Sequence, residues 1–225
     1  MSTNTALAVE FLKFRQSRVG RIGSAMYLVG TVCLLGVVTF GLRTGNEQLI
    51  AKAGPGVTQD WSGLMVIAQQ LVTAGGLLTA GVVLTWLFAR EFSDRTLPIL
   101  LVATVTRFQV AAAKLAVFVG WAASISAAVT VVVYVFGLVL GYVPDWRLAA
   151  VWAHGMAAML CAAPVAWVAT HFRSLLAGVG ATVVLLVALQ VLALAGVPVT
   201  LAWCLPTLAA PGGMLTLRAW ARLTA

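Results

Sequence analysis

Few residues in this chain are equipped for chemistry, and their positions limit what that chemistry could be. The six acids are Glu10, Glu47, Asp60, Glu91, Asp94 and Asp145, and each falls in a loop or at the end of an apolar run. His154 and His171 stand too isolated to share a metal with carboxylates. No His-Glu-x-x-His pattern occurs either, so neither a metal site nor a cofactor is expected. Cys33, Cys161 and Cys204 are odd in number and lie in apolar runs, which argues against a disulfide framework or a thiolate cluster. The chain has no Gly-x-x-x-x-Gly-Lys-Ser/Thr loop with which to cradle the phosphates of ATP. Coupling to protons or sodium calls for an ionisable group within the membrane, and the acids are not placed for it. The expectation is a non-enzyme that draws any energy it uses from a partner.

The elements that position these residues follow from composition. Of 225 residues, 62% are hydrophobic and 9% charged, against about 25% charged in soluble domains. That excludes an ordinary soluble domain, a disordered tail and a disulfide-stapled scaffold. Lys, Arg, Asp and Glu are absent from Ile22–Leu42, Trp61–Ala89, Leu115–Pro144, Leu148–Phe172 and Ser174–Leu217, together 149 residues. A bilayer core about 30 Å thick takes roughly 20 apolar residues per helix, so the first four stretches hold one span each and the last has room for two. The first stretch is too long for the apolar part of a signal peptide and no Ala-x-Ala site follows it. Val32 before Cys33 does not suit a lipoprotein cysteine.

The spans are placed at Ile22–Leu42, Ser62–Ala89, about Phe108–Gly141, Leu148–Thr170 and Ser174–Ala195. A sixth segment, Leu201–Leu217, is either a short span or a re-entrant hairpin on the outer face, because it carries Pro206, Pro211, Gly212 and Gly213. With the N-terminus inside, 11 of the 14 basic residues lie inside, leaving Arg43, Lys52 and Arg147 outside, as the positive-inside rule requires. The net charge of +8 therefore has a membrane explanation and does not call for nucleic acid. Trp61, Trp146 and Trp152 mark outer ends, and Trp86, Trp121 and Trp167 lie toward inner ends. The fold class is an all-α polytopic bundle of five or six spans. Residues 1–21 form a cytoplasmic amphipathic segment, 22–217 the membrane domain, and 218–225 a tail. Eleven Arg against three Lys, with abundant Ala, Val, Gly and Leu, point to a bacterium of GC-rich genome and hence to its plasma membrane.

One inner loop is unlike the rest. Between the second and third spans, residues 90–107 carry charges at both ends, and Leu97, Leu100, Leu101 and Thr104 recur on one face of a helix too short to span. Asp94 or Thr96 caps such a helix and Pro98 suits its first turn. Its apolar face lies on the membrane surface, fits another protein's groove, or simply closes the turn.

The large polar residues within the spans share one depth. Gln69, Gln70, Tyr134, His154 and Gln190 each fall roughly 9–12 Å below the outer boundary at 1.5 Å per residue. They line a vestibule or gate on a translocation path, or they make interhelical hydrogen bonds of about 0.6 kcal/mol each. Gly137 and Gly141 form a G-x-x-x-G that permits close helix contact.

The pattern Glu91, Phe92, Thr96, Leu97, Leu100, Leu101, then Val105, Thr106, Arg107, then Val110, Ala113, Lys114 resembles the cytoplasmic loop of type-2 ABC transporter permeases. The run Glu10-Phe11-Leu12-Lys13-Phe14-Arg15 is similar to that family's in-plane helix ahead of the first span. Arg95 stands where a Gly is common and Thr104 where a Pro is common, which bears on the details of docking. The resemblance covers about Glu10 to Gly196 and implies a final span beyond it, so the C-terminus reads as short or truncated. It implies a coupling helix at Leu97–Val102 that docks into a separate ATP-binding subunit, with Glu91, Arg95 and Arg107 framing the contact and Thr96, Leu97, Leu100 and Leu101 within it. It further implies two ATP-binding subunits and a second permease copy or homologue packed on the first and fifth spans. The function so implied is ATP-driven export of an amphipathic or lipophilic substrate such as a drug, antibiotic, peptide or lipid. The alternatives are a permease for haem or cytochrome maturation, a secondary transporter, which the lack of intramembrane charge argues against, or a non-transporting scaffold or immunity protein.

Overall fold

Backbone N–H and C=O groups find no water in a bilayer core, so a chain this apolar satisfies them within helices. The computed structural model describes residues 3–48, 57–93, 106–194 and 206–221, and among these residues it has eight helices. They are α1 (Thr3–Gln16), α2 (Arg18–Arg43), α3 (Trp61–Ser93), α4 (Arg107–Val139), α5 (Leu148–Leu160), α6 (Ala163–His171), α7 (Leu175–Leu194) and α8 (Pro206–Ala221). Five units are long and apolar enough to cross a membrane: α2, α3, α4, α5 continued by α6, and α7. The protein is an all-α polytopic bundle.

Local chemistry sets the ends of these helices beyond the charge-free stretches. Ser17 separates α1 from α2, and its hydroxyl accepts from Gly20 N at 2.9 Å, so α2 begins a turn before the apolar run. Thr106 opens α4 with a capping box: its Oγ1 accepts from Gln109 N at 3.3 Å, and its own N–H donates to Gln109 Oε1 at 3.2 Å. Asp60 caps α3 by accepting from Gly63 N at 2.8 Å, and the hydrogen bond from the Thr58 hydroxyl, helped by the Gly63 N–H, holds its carboxyl below the usual range. Gly141, at φ 81°, ends α4, where a side chain would be strained. Of the G-x-x-x-G pair, Gly137 admits the Trp61 ring, while Gly141 has nothing near it and serves as a helix stop.

The hub is α3, which packs on α2, α4, α5, α6 and α7. Its Ala68, Ala80, Val83, Leu84 and Phe88 are fully buried. Against α7 the contact is a pair of reciprocal notches, with Gly81 receiving Thr182 and Gly178 receiving Thr85. At the end of the bundle away from α1, Trp61 Nε1 donates to Asp145 Oδ1 at 2.9 Å and Gln59 Nε2 to Leu42 O at 2.8 Å.

The fourth span departs from the continuous helix expected over Leu148–Thr170. It breaks at Cys161 and Ala162 because Pro164 has no N–H and its ring crowds the carbonyl four residues back, at Leu160. The break makes room for α8, whose Gly212 lies against Ala163 and Pro164. From there α8 descends toward the α1 end, where Trp220 donates to Thr170 Oγ1 at 3.1 Å. A hairpin confined to the far face is therefore not what the described residues show. The described α8 is 16 residues long, against the roughly 20 that a span takes.

A Cβ built on Gly212 would sit 2.8 Å from the Pro164 nitrogen, whereas one on Gly213 would sit 3.9 Å from Leu115 Cδ1. Gly212→Ala should therefore cost about 1–3 kcal/mol, and Gly213→Ala should be neutral or mildly stabilising. Thermal unfolding in detergent checks this, and equal melting of the two variants would refute the close crossing.

Candidate functional site

Residues 94–105 join α3 to α4, so whatever acts on that segment is felt first at the two stems, Arg90–Ser93 and Thr106–Lys114. Arg95, Thr96, Leu97, Leu100 and Leu101 lie outside the described residues, and so does the remainder of Leu97–Val102. Glu91 and Arg107 are described, and they sit differently. Arg107 is the first residue of α4 and is half-buried, whereas Glu91 is 6% exposed and turned into the bundle.

Glu91 faces Lys114, which the sequence places among the inner loop charges and which the structure places two turns up α4, 3% exposed. Lys114 Nζ lies 2.9 Å from Glu91 Oε1 and 3.0 Å from Glu10 Oε2, and it donates to Leu87 O at 3.0 Å. Glu10 comes from α1, 104 residues away in sequence. Lys13, half-exposed, closes the cluster with Nζ at 2.9 Å from Glu10 Oε1 and 3.9 Å from Glu91 Oε1. Glu10 makes aligned hydrogen bonds, while the Glu91 carboxylate is held by charge alone, without a hydrogen bond from Lys114. Burial pushes the Glu10 carboxyl up, but Lys114 and Lys13 outweigh it and hold the group below its ordinary value.

Aromatic rings wall the cluster off. The Trp220 ring of α8 lies 5.6 Å from Lys114 Nζ and meets Phe88 and Phe92 edge-on at 5.9 and 6.2 Å. Phe14 packs against Trp86 and Trp121 at 6.4 and 5.9 Å, wedging α1 between α3 and α4. Arg90 stacks on Trp86 at 4.8 Å, and Arg173 lies 5.8 Å from the Phe92 ring. The arrangement suits mechanical linkage: α1, α8 and both stems of the 94–105 segment meet at one ammonium. Sequence reasoning missed this cluster because its members are far apart in the chain. The available signal was an acid and a base each set within a helical apolar run, at Glu10 and Lys114.

The expected polar layer is spread over the surface. Gln70, Tyr134 and Gln190 are exposed, Gln69 and His154 half-buried, and His154 Nδ1 lies 2.9 Å from Ala150 O of its own helix. The α3–α7 notches set Gln190 level with Thr73, one turn from Gln70, so the common depth is kept while the residues do not line an enclosed cavity.

Removing the ammonium leaves two buried carboxylates facing each other, so Lys114→Met should cost about 3–5 kcal/mol. Replacing Glu10 and Glu91 by Leu in the same chain should recover most of that loss in thermal unfolding. No recovery would refute the charge argument. Because its folded value is lowered, Glu10 adds stability that is complete above the ordinary glutamate value and is lost as pH falls through the lowered one. Acid titration of unfolding should therefore be shallower in Glu10→Gln than in the wild type.

Comparison with known proteins gives one family. The sequence profile described as ABC-2 family transporter protein matches residues 6–189, from α1 through most of α7. No curated protein and no solved structure matches the chain. The permeases of this family are generally non-catalytic membrane subunits, and the family implies pairing with an ABC ATP-binding subunit. The matched span covers α1 almost entirely, the ion cluster and both stems of residues 94–105, and the chain belongs to the ABC-2 transporter permease family.

Proposed function

We propose that this chain is the permease subunit of an ATP-driven exporter that moves an amphipathic or lipophilic substrate, such as a drug, antibiotic, peptide or lipid. ATP is hydrolysed in a separate subunit that docks on Leu97–Val102, and two such subunits serve two permeases. The observation that carries this reading is the Glu10–Lys114–Glu91 cluster, which ties α1 and both stems of residues 94–105 into one body. A subunit pressing on the segment then displaces α3 and α4 together, and α3 is the hub on which the other spans pack.

The remaining assignments fit the same reading. The described basic residues gather at the α1 end, with Arg43 and Arg147 opposite, which supports a cytoplasmic N-terminus in a bacterial plasma membrane and α1 lying in the membrane plane. The exposed apolar faces of α2 (Met26, Val29, Phe40) and α7 (Leu176, Val184) suit a second permease. Between the two copies, Gln70 and Gln190 would face the translocation path, with Gln69, Tyr134 and His154 at the same depth.

Purification of the tagged chain from detergent extracts tests the reading. An ATPase with a phosphate-binding loop should accompany the wild type and be lost with Leu97→Asp/Leu101→Asp. If no ATPase accompanies either form, the exporter reading fails and a scaffold or immunity role replaces it.

A further inference from the structure

The corner between α1 and α2 opens onto α4 as a groove of about 860 Å³, on which the transport reading makes no demand. Phe11 and Phe14 wall it on the α1 side, Gly120 and Trp121 on the α4 side, and Arg15 and Arg21 stand at its rim. A Cβ built on Gly120 meets nothing within 4 Å, so the floor is open space and not a packed seam. Trp121 is fixed there, because its Nε1 donates to Ser24 Oγ at 2.9 Å and its ring meets Phe14 edge-on. The groove follows α4 from Ala116 to Ser124, about 12 Å at 1.5 Å per residue.

Charge tells what such a groove takes. None of its lining residues is an acid. Neither arginine belongs to an ion pair among the described residues, and Arg21 reaches only the Ser17 and Gln16 carbonyls, each at 3.4 Å. The described carboxylates at this end of the bundle, Glu10 and Glu91, point inward to Lys114. An apolar trough at the end of a membrane bundle, with two uncompensated guanidinium groups at its mouth, complements a molecule with an anionic head and an aliphatic chain.

We propose that the groove binds an anionic phospholipid from the adjoining leaflet. Its phosphate sits between Arg15 and Arg21, and one acyl chain lies over Gly120 between Phe11 and Trp121. A zwitterionic lipid offers the same chain but cancels its phosphate charge with its own cation, so the site discriminates by headgroup.

Native mass spectrometry of the full chain tests this, with titrations of phosphatidylglycerol, phosphatidylcholine and inorganic phosphate. Phosphatidylglycerol should bind more tightly than phosphatidylcholine, and inorganic phosphate at equal concentration should not displace it. Arg15→Gln/Arg21→Gln should weaken phosphatidylglycerol about thirtyfold, taking about 1 kcal/mol per basic residue, and leave phosphatidylcholine unchanged. Gly120→Leu fills open space without disturbing a neighbour and should weaken both lipids. Arg18→Gln, outside the groove, should change neither. Equal binding of the two lipids, displacement by inorganic phosphate, or unchanged phosphatidylglycerol binding in either groove variant overturns the proposal.

Discussion

One ammonium group organises the α1 end of this protein. Lys114 is withdrawn from solvent two turns inside α4, where an unpaired cation would cost several kcal/mol, and it therefore needs carboxylates brought to it. Neither carboxylate comes from α4. Glu91 is supplied by the end of α3 and Glu10 by α1, so the chain before the first span has to fold back against the bundle. Phe14 then finds Trp86 and Trp121, and Trp220 of α8 covers the charge from the other side. A hydrophobic set of similar shape could match this in stability, since buried ion pairs seldom exceed apolar packing in net contribution. The cluster fixes instead which helices meet, because an apolar face accepts many neighbours and a buried ammonium accepts few.

The two ends of the bundle are joined by different means. Opposite the ion cluster, Trp61 and Asp145, Gln59 and the Leu42 carbonyl, and the Asp60 cap link α2, α3 and the loop after α4 through hydrogen bonds near the surface. Those links are only partly buried, while the cluster at the other end is enclosed by indole and phenyl rings. In between, α7 offers its neighbours little, with 11% of its apolar window buried, and so leaves a broad aliphatic face for lipid or a second copy.

Segregated charge was enough to read the helices from the sequence, because a stretch without Lys, Arg, Asp or Glu and long enough to cross has few other folds open to it. The ends were less legible. Ser17 and the Thr106–Gln109 pair carry the helix starts outward past the charges, and the second of these is a capping pattern that sequence alone displays. The fourth span was read as continuous although Pro164 lies within it, and the crossing of Gly212 explains why the break there is kept. The site was harder still. The pattern of leucines at residues 97–101 is visible in the sequence but lies outside the described residues, whereas the pairing of Glu10 with Lys114 depends on tertiary distance that no local spacing encodes. The polar residues at one depth were found by counting, but which way each faces depends on helix rotation, and that is set by packing on α3.

The seam between α3 and α7 limits how the bundle can rearrange. Two small-residue notches, one turn apart on each helix, accept threonines from the other side like teeth in a rack. Sliding α7 by a fraction of a turn would drive Thr85 and Thr182 into backbone. A whole-turn step would set Gly178 against Gly81, empty both sockets and put Thr182 opposite Leu77. Small displacements along this seam therefore meet steric resistance at both notches.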